Sequence, residues 1–400
     1  MTTTDHEPLA IDGGAPIRTE FLPYAHQQIS DEDIAAVVAA LRSDWLTTGP
    51  RVGVFEAGLT EATGARHAIA FSSGTAALHG AAVAAGLGPG DEAITTPMTF
   101  VATANAVLYA GAEVRFADID PGTLNIDPAA VAAAITPRTK AILPVDYAGH
   151  PADYAALRAI ADAAPDGRLT IIADASHSLG ATRDGRSVGT MADMTVLSLH
   201  PAKILTTGEG GAVLTDDDEL AGRLRRFRNH GIATELAARI DWTYAMVELG
   251  YNYRLTDIGA ALGSSQLERL GAFLERRRAL AARYLTRLEG HPHLDIPVVE
   301  PGTEPAWHFA FAQLRLDTLR VDRGAVYAAL RAEGIGVNVH YIPVHQHPFY
   351  RARYPGLAFP VADAAYERLL TLPLHAGMTT DDVDDVVAAL NKVTGAYRAD

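Results

Sequence analysis

The chain has 400 residues, 48% of them hydrophobic and 20% charged, and its 33 Lys and Arg against 48 Asp and Glu give a formal net charge of −15. That composition suits a globular protein with a sizeable core and excludes a disordered or collagen-like chain. The acidic balance argues against nucleic acid or an anionic membrane as the main partner, and the absence of cysteine excludes disulfides, thiolate nucleophiles and cysteine-held metal centres.

The opening "MTTTDHEPLAIDGGAPIRTE" is polar and acidic with no apolar stretch, so no signal peptide is expected. Apolar runs such as "AALHGAAVAAGLG" are too short and too rich in small residues to span a bilayer, which makes the cytoplasm the expected location. From about residue 68 the chain alternates short apolar or β-branched runs with alanine-rich helical stretches, the pattern of an α/β sheet covered on both faces. The expected strands are 67–71, 92–96, 112–117, 140–145, 169–174, 194–199 and 211–215, with helices at 75–86, 100–110, 128–135 and 151–163 between them. The run "SSQLERLGAFLERRRALAARYLTRLEG" (264–290) has apolar residues at helical spacing and reads as one long connecting helix. Beyond it, "WHFAFAQLRL" and "IGVNVHYIPV" read as strands, and 323–333 and 380–393 as helices. The expected organisation is a large domain over 1–265 and a smaller C-terminal α/β domain over 266–400.

Ligands of open α/β sheets bind beyond the carboxyl ends of the strands, so polar residues just after each strand come first. Ser72, Ser73, Gly74 and Thr75 follow the first strand and open a helix. Hydroxyls and unbonded N–H groups there would suit a phosphate, although the same residues also make an ordinary helix cap. Phe100 follows the second strand, where its ring could cover a planar cofactor or fill the core. Asp174 closes the apolar strand "LTIIAD" and His177 follows in a turn; a carboxylate there could pair with a ring nitrogen, or simply hold the turn. Lys203 follows the sixth strand, ahead of the pliant-looking loop "TTGEGG". A lysine partly desolvated in such a place loses basicity and becomes a nucleophile toward carbonyls. Together these four places provide a phosphate cup, an aromatic lid, an acid for a ring nitrogen and an amine for an aldehyde, the inventory for pyridoxal 5'-phosphate (PLP).

The motifs "LAIDGGAPIR", "WLTTGPRVGVFE", "SSGTAAL", "PMTFVATANAV", "ADASHSLGA", "SLHPAKILTTGEGGAV", "RNHG", "GYNYRLTDIGAALGSSQL" and "VHYIPVHQHPFY" occur in this order along nearly the whole chain. They resemble the DegT/DnrJ/EryC1/StrS family of sugar aminotransferases. The resemblance implies the type I PLP-dependent, aspartate aminotransferase-like fold, with a seven-stranded, mostly parallel sheet in the large domain. It implies that Lys203 links to the cofactor as a Schiff base and then shuttles a proton. Asp174 would pair with the pyridinium nitrogen, His177 would hydrogen-bond the ring O3', and Phe100 would stack on the ring. Ser73, Gly74, Thr75 and Ser198 would hold the phosphate, and Asn252 would reach the phosphate of a neighbouring subunit, so that a homodimer shares its active sites.

Some relatives carry histidine in place of this lysine and dehydrate sugars; Lys203 favours amino transfer. The implied partners are L-glutamate and a nucleotide-linked sugar, dTDP or UDP. "DYAGHPAD" and "ELGYNYRLTDI" most resemble members that aminate C4 of 4-keto-6-deoxy sugars, with 3-keto sugars or cyclitols as alternative acceptors. A PLP-binding regulator without catalysis is the reading of another class, against which the intact Lys203, Asp174 and His177 set speaks. Thr48 in "LTTGP", His340 and Tyr341 are candidate substrate contacts, though Thr48 could simply make a turn. The closely spaced His340, His345 and His347 lack a carboxylate at ligand spacing, so no zinc site is expected. The basic run "RLRRFRNHG" reads as a solvated helix face.

Overall fold

A computed structural model describes residues 7–165, 167–233 and 242–399; the first six residues of the N-terminal stretch, expected to carry no leader, lie outside it. Seven strands form one sheet: β1 (His67–Phe71), β2 (Glu92–Thr95), β3 (Glu113–Phe116), β4 (Thr139–Leu143), β5 (Thr170–Asp174), β6 (Met194–Ser198) and β7 (Gly211–Thr215). Their order is β1-β7-β6-β5-β4-β2-β3, parallel throughout except for β7, which runs against both neighbours.

The sheet is apolar on both faces because helices cover both. Ile94, Ile142 and Ile171 pack with Val131 and Leu157, while Ala93, Leu143, Ile172 and Val196 on the opposite face pack with Ala77, Ala81 and Leu224. In chain order the helices are α1 (Asp31–Leu41), α2 (Pro50–Thr63), α3 (Gly74–Ala84), α4 (Val101–Tyr109), α5 (Pro128–Ala134), α6 (Tyr154–Asp162) and α7 (Asp218–Phe227), of which α3, α5, α6 and α7 carry the residues just named. Alanine dominates α3 and α4, which lets their backbones lie close to the strands.

The helix expected over 264–290 is two helices, α8 (Asp257–Leu267) and α9 (Leu270–Leu288). The chain leaves helical geometry at Arg269 (φ −106°, ψ 5°), and the break gathers Ser265, Gln266 and Arg269 around the buried carboxylate of Asp33 on α1. Beyond α9, strands Leu294–Asp295, Ala310–Leu314 and Leu369–Leu372 make an antiparallel sheet, packed by helices Arg323–Ala332 and Thr380–Ala396. "IGVNVHYIPV" is not a strand: it runs as a loop with isolated bridges at Ile335 and Asn338, and Pro343 within it has no N–H to donate. Leu369–Leu372 takes the place beside Ala310–Leu314 instead.

Leu9 and Leu22 are buried in the same apolar cluster as residues of α9 and Thr380–Ala396. Glu333, fully buried, fastens this N-terminal segment by accepting from the N–H of Ala10 (2.9 Å) and Ile17 (3.0 Å) while pairing with Lys392 (3.0 Å). No described helix is long and apolar enough to cross a membrane.

Candidate active site

The carboxyl ends of β1, β2, β5 and β6 open on one cleft of about 460 Å³, in the usual range for small-molecule sites. Residues 340–341 of the C-terminal loop close its far side.

At the end of β1, Ser73 caps α3, its Oγ accepting from the N–H of Ala76 at 3.1 Å. The ordinary capping role is therefore real, and it leaves the first-turn N–H groups at Gly74 and Thr75 facing no helical carbonyl, at the positive end of the helix dipole. Two glycines make the cup possible. A Cβ on Gly74 would stand 3.0 Å from Cβ of Ser198, and one on Gly211 would stand 2.6 Å from the carbonyl of Ser73. Ser73, Gly74, Thr75 and Ser198 all line the cleft.

Asp174 ends β5, 5% exposed. Its Oδ2 accepts from Thr103 on α4 (2.7 Å) and its Oδ1 from the hydroxyl (2.6 Å) and N–H (3.2 Å) of Ser176, so its charge is met by three donors. Phe100, the N-cap residue of α4, is 57% exposed on the cleft wall and lies outside the core clusters.

Lys203 sits in the loop leaving β6. That loop is tied down rather than pliant: Leu199 N–H reaches Gly210 O (2.9 Å), Thr206 and Thr207 both donate to Leu199 O, and Lys203 N–H reaches His200 O (2.9 Å). Desolvation lowers the Lys203 ammonium from its ordinary value to about 8, against a partial opposing pull from Asp174.

His177 is 4% exposed and its Nε2 is 3.0 Å from the hydroxyl of Tyr341. Its Nδ1 is buried without a hydrogen-bond partner among the described residues. His308 lies against it, ring centres 4.5 Å apart, and His340 bonds Thr371 through Nδ1 at 2.9 Å. Burial, reinforced by the Lys203 charge, holds His177 and His308 well below the ordinary imidazole value and lowers His340 to about 3, so all three are neutral.

The cleft thus gathers Ser73, Gly74, Thr75, Phe100, Asp174, His177, Ser198, Lys203, His340 and Tyr341. Thr48 and Asn252 do not line it. Thr48 sits in an exposed turn with φ 56° and bonds its own neighbour's carbonyl, and Asn252 is exposed beside a backbone bridge to Asn229. "DYAGHPAD" packs beneath the site: the buried Asp146 carboxyl, pushed up to about 6 by desolvation, accepts from Ser178, Ala152 and Tyr154. His345 pairs with Asp363 (3.0 Å). Among the described residues no group of three His, Asp or Glu is placed to hold a metal. The basic run is only partly solvated, since Arg228 is inserted between Glu56 and Ala70 O.

Sequence reasoning missed Thr103, Ser176 and His308. Thr103, three residues past Phe100 on the same helix, was open to inference from spacing; His308 comes from the distant loop ahead of the strand Ala310–Leu314 and has no local signal.

A family model described as the DegT/DnrJ/EryC1/StrS aminotransferase family matches residues 27–391. The spore coat polysaccharide biosynthesis protein SpsC of Bacillus subtilis is 42% identical over 383 residues, 94% of this chain and 98% of that protein. Among solved structures, Helicobacter pylori PseC, an aminotransferase of pseudoaminic acid biosynthesis, superposes with a TM-score of 0.88 at 30% identity, covering 94% of this chain and all of that one. The PLP form of the putative sugar aminotransferase Spr1654 from Streptococcus pneumoniae gives 0.87 at 30% identity, with 94% and 99% covered. A match of this extent, over a cleft with this donor set, places the chain in the DegT/DnrJ/EryC1/StrS aminotransferase family.

Proposed function

We propose that this enzyme transfers an amino group from L-glutamate to the C4 ketone of a dTDP- or UDP-linked 4-keto-6-deoxyhexose, using PLP. The observation that carries the PLP reading is the convergence of a desolvated amine, Lys203, with a helix N-terminus and a buried carboxylate in one cleft. The chain's residues fit the cofactor: Gly74 leaves room beside Ser198 for a phosphate, and the unpartnered Nδ1 of His177 awaits a polar atom. When bound, PLP supplies an aldehyde to an amine and a ring that withdraws electrons from the carbon attached to the transferred nitrogen.

The residues around it divide the work. The first turn of α3, with Ser73, Gly74, Thr75 and Ser198, would hold the phosphate. Asp174, its charge met by Thr103 and Ser176, would pair with the ring nitrogen, and Phe100 would cover the ring. Lys203, lowered to about 8, is unprotonated in roughly a tenth of molecules at pH 7. That fraction would provide a nucleophile, and the same Nζ would serve to hold and move a proton. His340 and Tyr341 line the substrate side.

The C4 assignment rests on the likeness of "DYAGHPAD" and "ELGYNYRLTDI" to 4-aminating members. The first of these segments is buried beneath the cleft, so it would act by shaping the floor rather than by touching sugar. The exposed apolar residues Trp242, Met246, Val247 and Leu249, next to Asn252, support a homodimer in which Asn252 reaches the partner's phosphate site. The division at residue 265 and a cytoplasmic location complete the reading.

The test is incubation with L-glutamate, PLP and, in turn, dTDP- and UDP-linked 4-keto and 3-keto 6-deoxysugars, with the amine position of each product read by NMR. A 4-amino product confirms the reading. Turnover of 3-keto sugars alone replaces it, and no turnover with any keto sugar returns the chain to a binding role.

A further inference from the structure

His177 and Tyr341 come from opposite sides of the cleft, 164 residues apart, and meet at 3.0 Å between Nε2 and the hydroxyl. Their rings are close to parallel, 18° between planes. His177 is nine-tenths buried or more, and its second nitrogen, Nδ1, has no hydrogen-bond partner among the described residues. A neutral imidazole carries one N–H and one bare nitrogen, and the bond at one nitrogen decides which is which.

Burial and the nearby Asp174 carboxylate push the Tyr341 hydroxyl up, so it keeps its hydrogen. If His177 donated through Nε2, that hydroxyl hydrogen would need another acceptor, and none is within hydrogen-bond reach among the described residues. The bare, buried Nδ1 would then be an acceptor in a residue that lines the cleft, and it could only repel an anionic ligand oxygen. If Tyr341 donates, the hydroxyl is satisfied and Nδ1 carries the N–H. The surroundings keep the imidazole neutral: burial and the Lys203 charge oppose its protonation, and His308 and Phe309 pack against its ring.

We infer that Tyr341 is a positioning residue that donates its hydroxyl hydrogen to Nε2 of His177, fixes the imidazole proton on Nδ1, and thereby presents an N–H to an anionic oxygen of the ligand. The oxygen's identity, the phenolic O3' of PLP, rests on the function proposed above. The inference moves Tyr341 from a sugar contact to a residue that acts through His177, and it makes the C-terminal loop part of how the cofactor ring is held.

The tautomer can be read without cofactor. Full-length protein labelled with 15N-histidine, at pH 7, gives a long-range proton–nitrogen pattern for each imidazole, and the His177 pattern is the one lost in His177→Gln. The expected pattern has Nδ1 protonated and Nε2 bare, and in Tyr341→Phe the proton shifts to, or is shared with, Nε2. A wild-type His177 protonated on Nε2, or a pattern unchanged in Tyr341→Phe, overturns the inference. PLP titration followed by absorbance adds a second readout, in which Tyr341→Phe binds about fivefold to tenfold more weakly. Wild-type affinity in that variant also overturns it. If the wild-type protein takes up no PLP, the proposed function fails, while the tautomer still stands or falls by its nitrogen pattern.

Discussion

Thr103 on α4 donates to Oδ2 of Asp174 at 2.7 Å, so a helix entering from β2 completes the carboxylate at the end of β5. A hydrogen bond to a charged group is worth about 1.5–3 kcal/mol. Thr103→Val keeps the shape and removes the donor, and it is expected to weaken PLP binding by about tenfold or more, with the circular dichroism spectrum unchanged. Absorbance titration against PLP measures it.

Gly74 has no room for a side chain. Its Cβ would press on Ser198 at 3.0 and 3.1 Å, in the cleft wall proposed to hold the phosphate. Gly74→Ala is expected to lose most PLP affinity in the same titration. Gly53→Ala is the control, because a Cβ there meets nothing within 4 Å and replaces glycine inside α2. It is expected to leave binding intact and raise stability by about 0.5–1 kcal/mol.

The lowered basicity of Lys203 has two consequences. Its rate of reaction with an added aldehyde, followed by absorbance, is expected to rise with pH around a midpoint near 8. The lowering also opposes folding of the cofactor-free protein. Below about 8 both native and unfolded chains hold the proton, and the full penalty applies. Between about 8 and the ordinary value of 10.5 the unfolded chain binds more protons, so stability climbs with pH. Lys203→Met is therefore expected to stabilise the cofactor-free protein at pH 7 by up to about 3 kcal/mol, with the gain shrinking above pH 8. Urea melts at pH 7 and 9 test the sign.

Arg277 on α9 is 2% exposed and donates through Nη1 to the carbonyls of Trp307 (3.1 Å), His308 (3.0 Å) and Leu374 (3.0 Å). It ties α9 to the loop that sets His308 on the cleft wall and to the segment that follows the strand Leu369–Leu372. Arg277→Met withdraws the donor from three buried carbonyls and is expected to cost more than about 3 kcal/mol in urea unfolding. Arg277→Lys is expected to recover only part of that, because an ammonium cannot fork as a guanidinium does.

The central sheet was legible because its strands are short apolar runs ending in polar turns, and each of the seven begins and ends within a residue or two of its expected bounds. The same rule misread "IGVNVHYIPV", whose alternation is spent on a loop that lays His340 and Tyr341 along the cleft. Helical spacing ran unbroken through 264–290 because periodicity does not register a tertiary pull, here the Asp33 carboxylate that draws Arg269 aside. At the site, the residues after strands were found from topology alone. The placement of His308 and the bond between Tyr341 and His177 depend on how distant segments meet, and no local spacing encodes that meeting.

The most direct test of the aminotransferase account is the absorbance of the PLP-loaded protein before and after L-glutamate, beside Lys203→Ala. The account predicts a visible band in the wild type that glutamate abolishes and a matching keto sugar restores, and neither change in the variant. A wild-type band indifferent to glutamate, or a Lys203→Ala protein that responds as the wild type does, would contradict it.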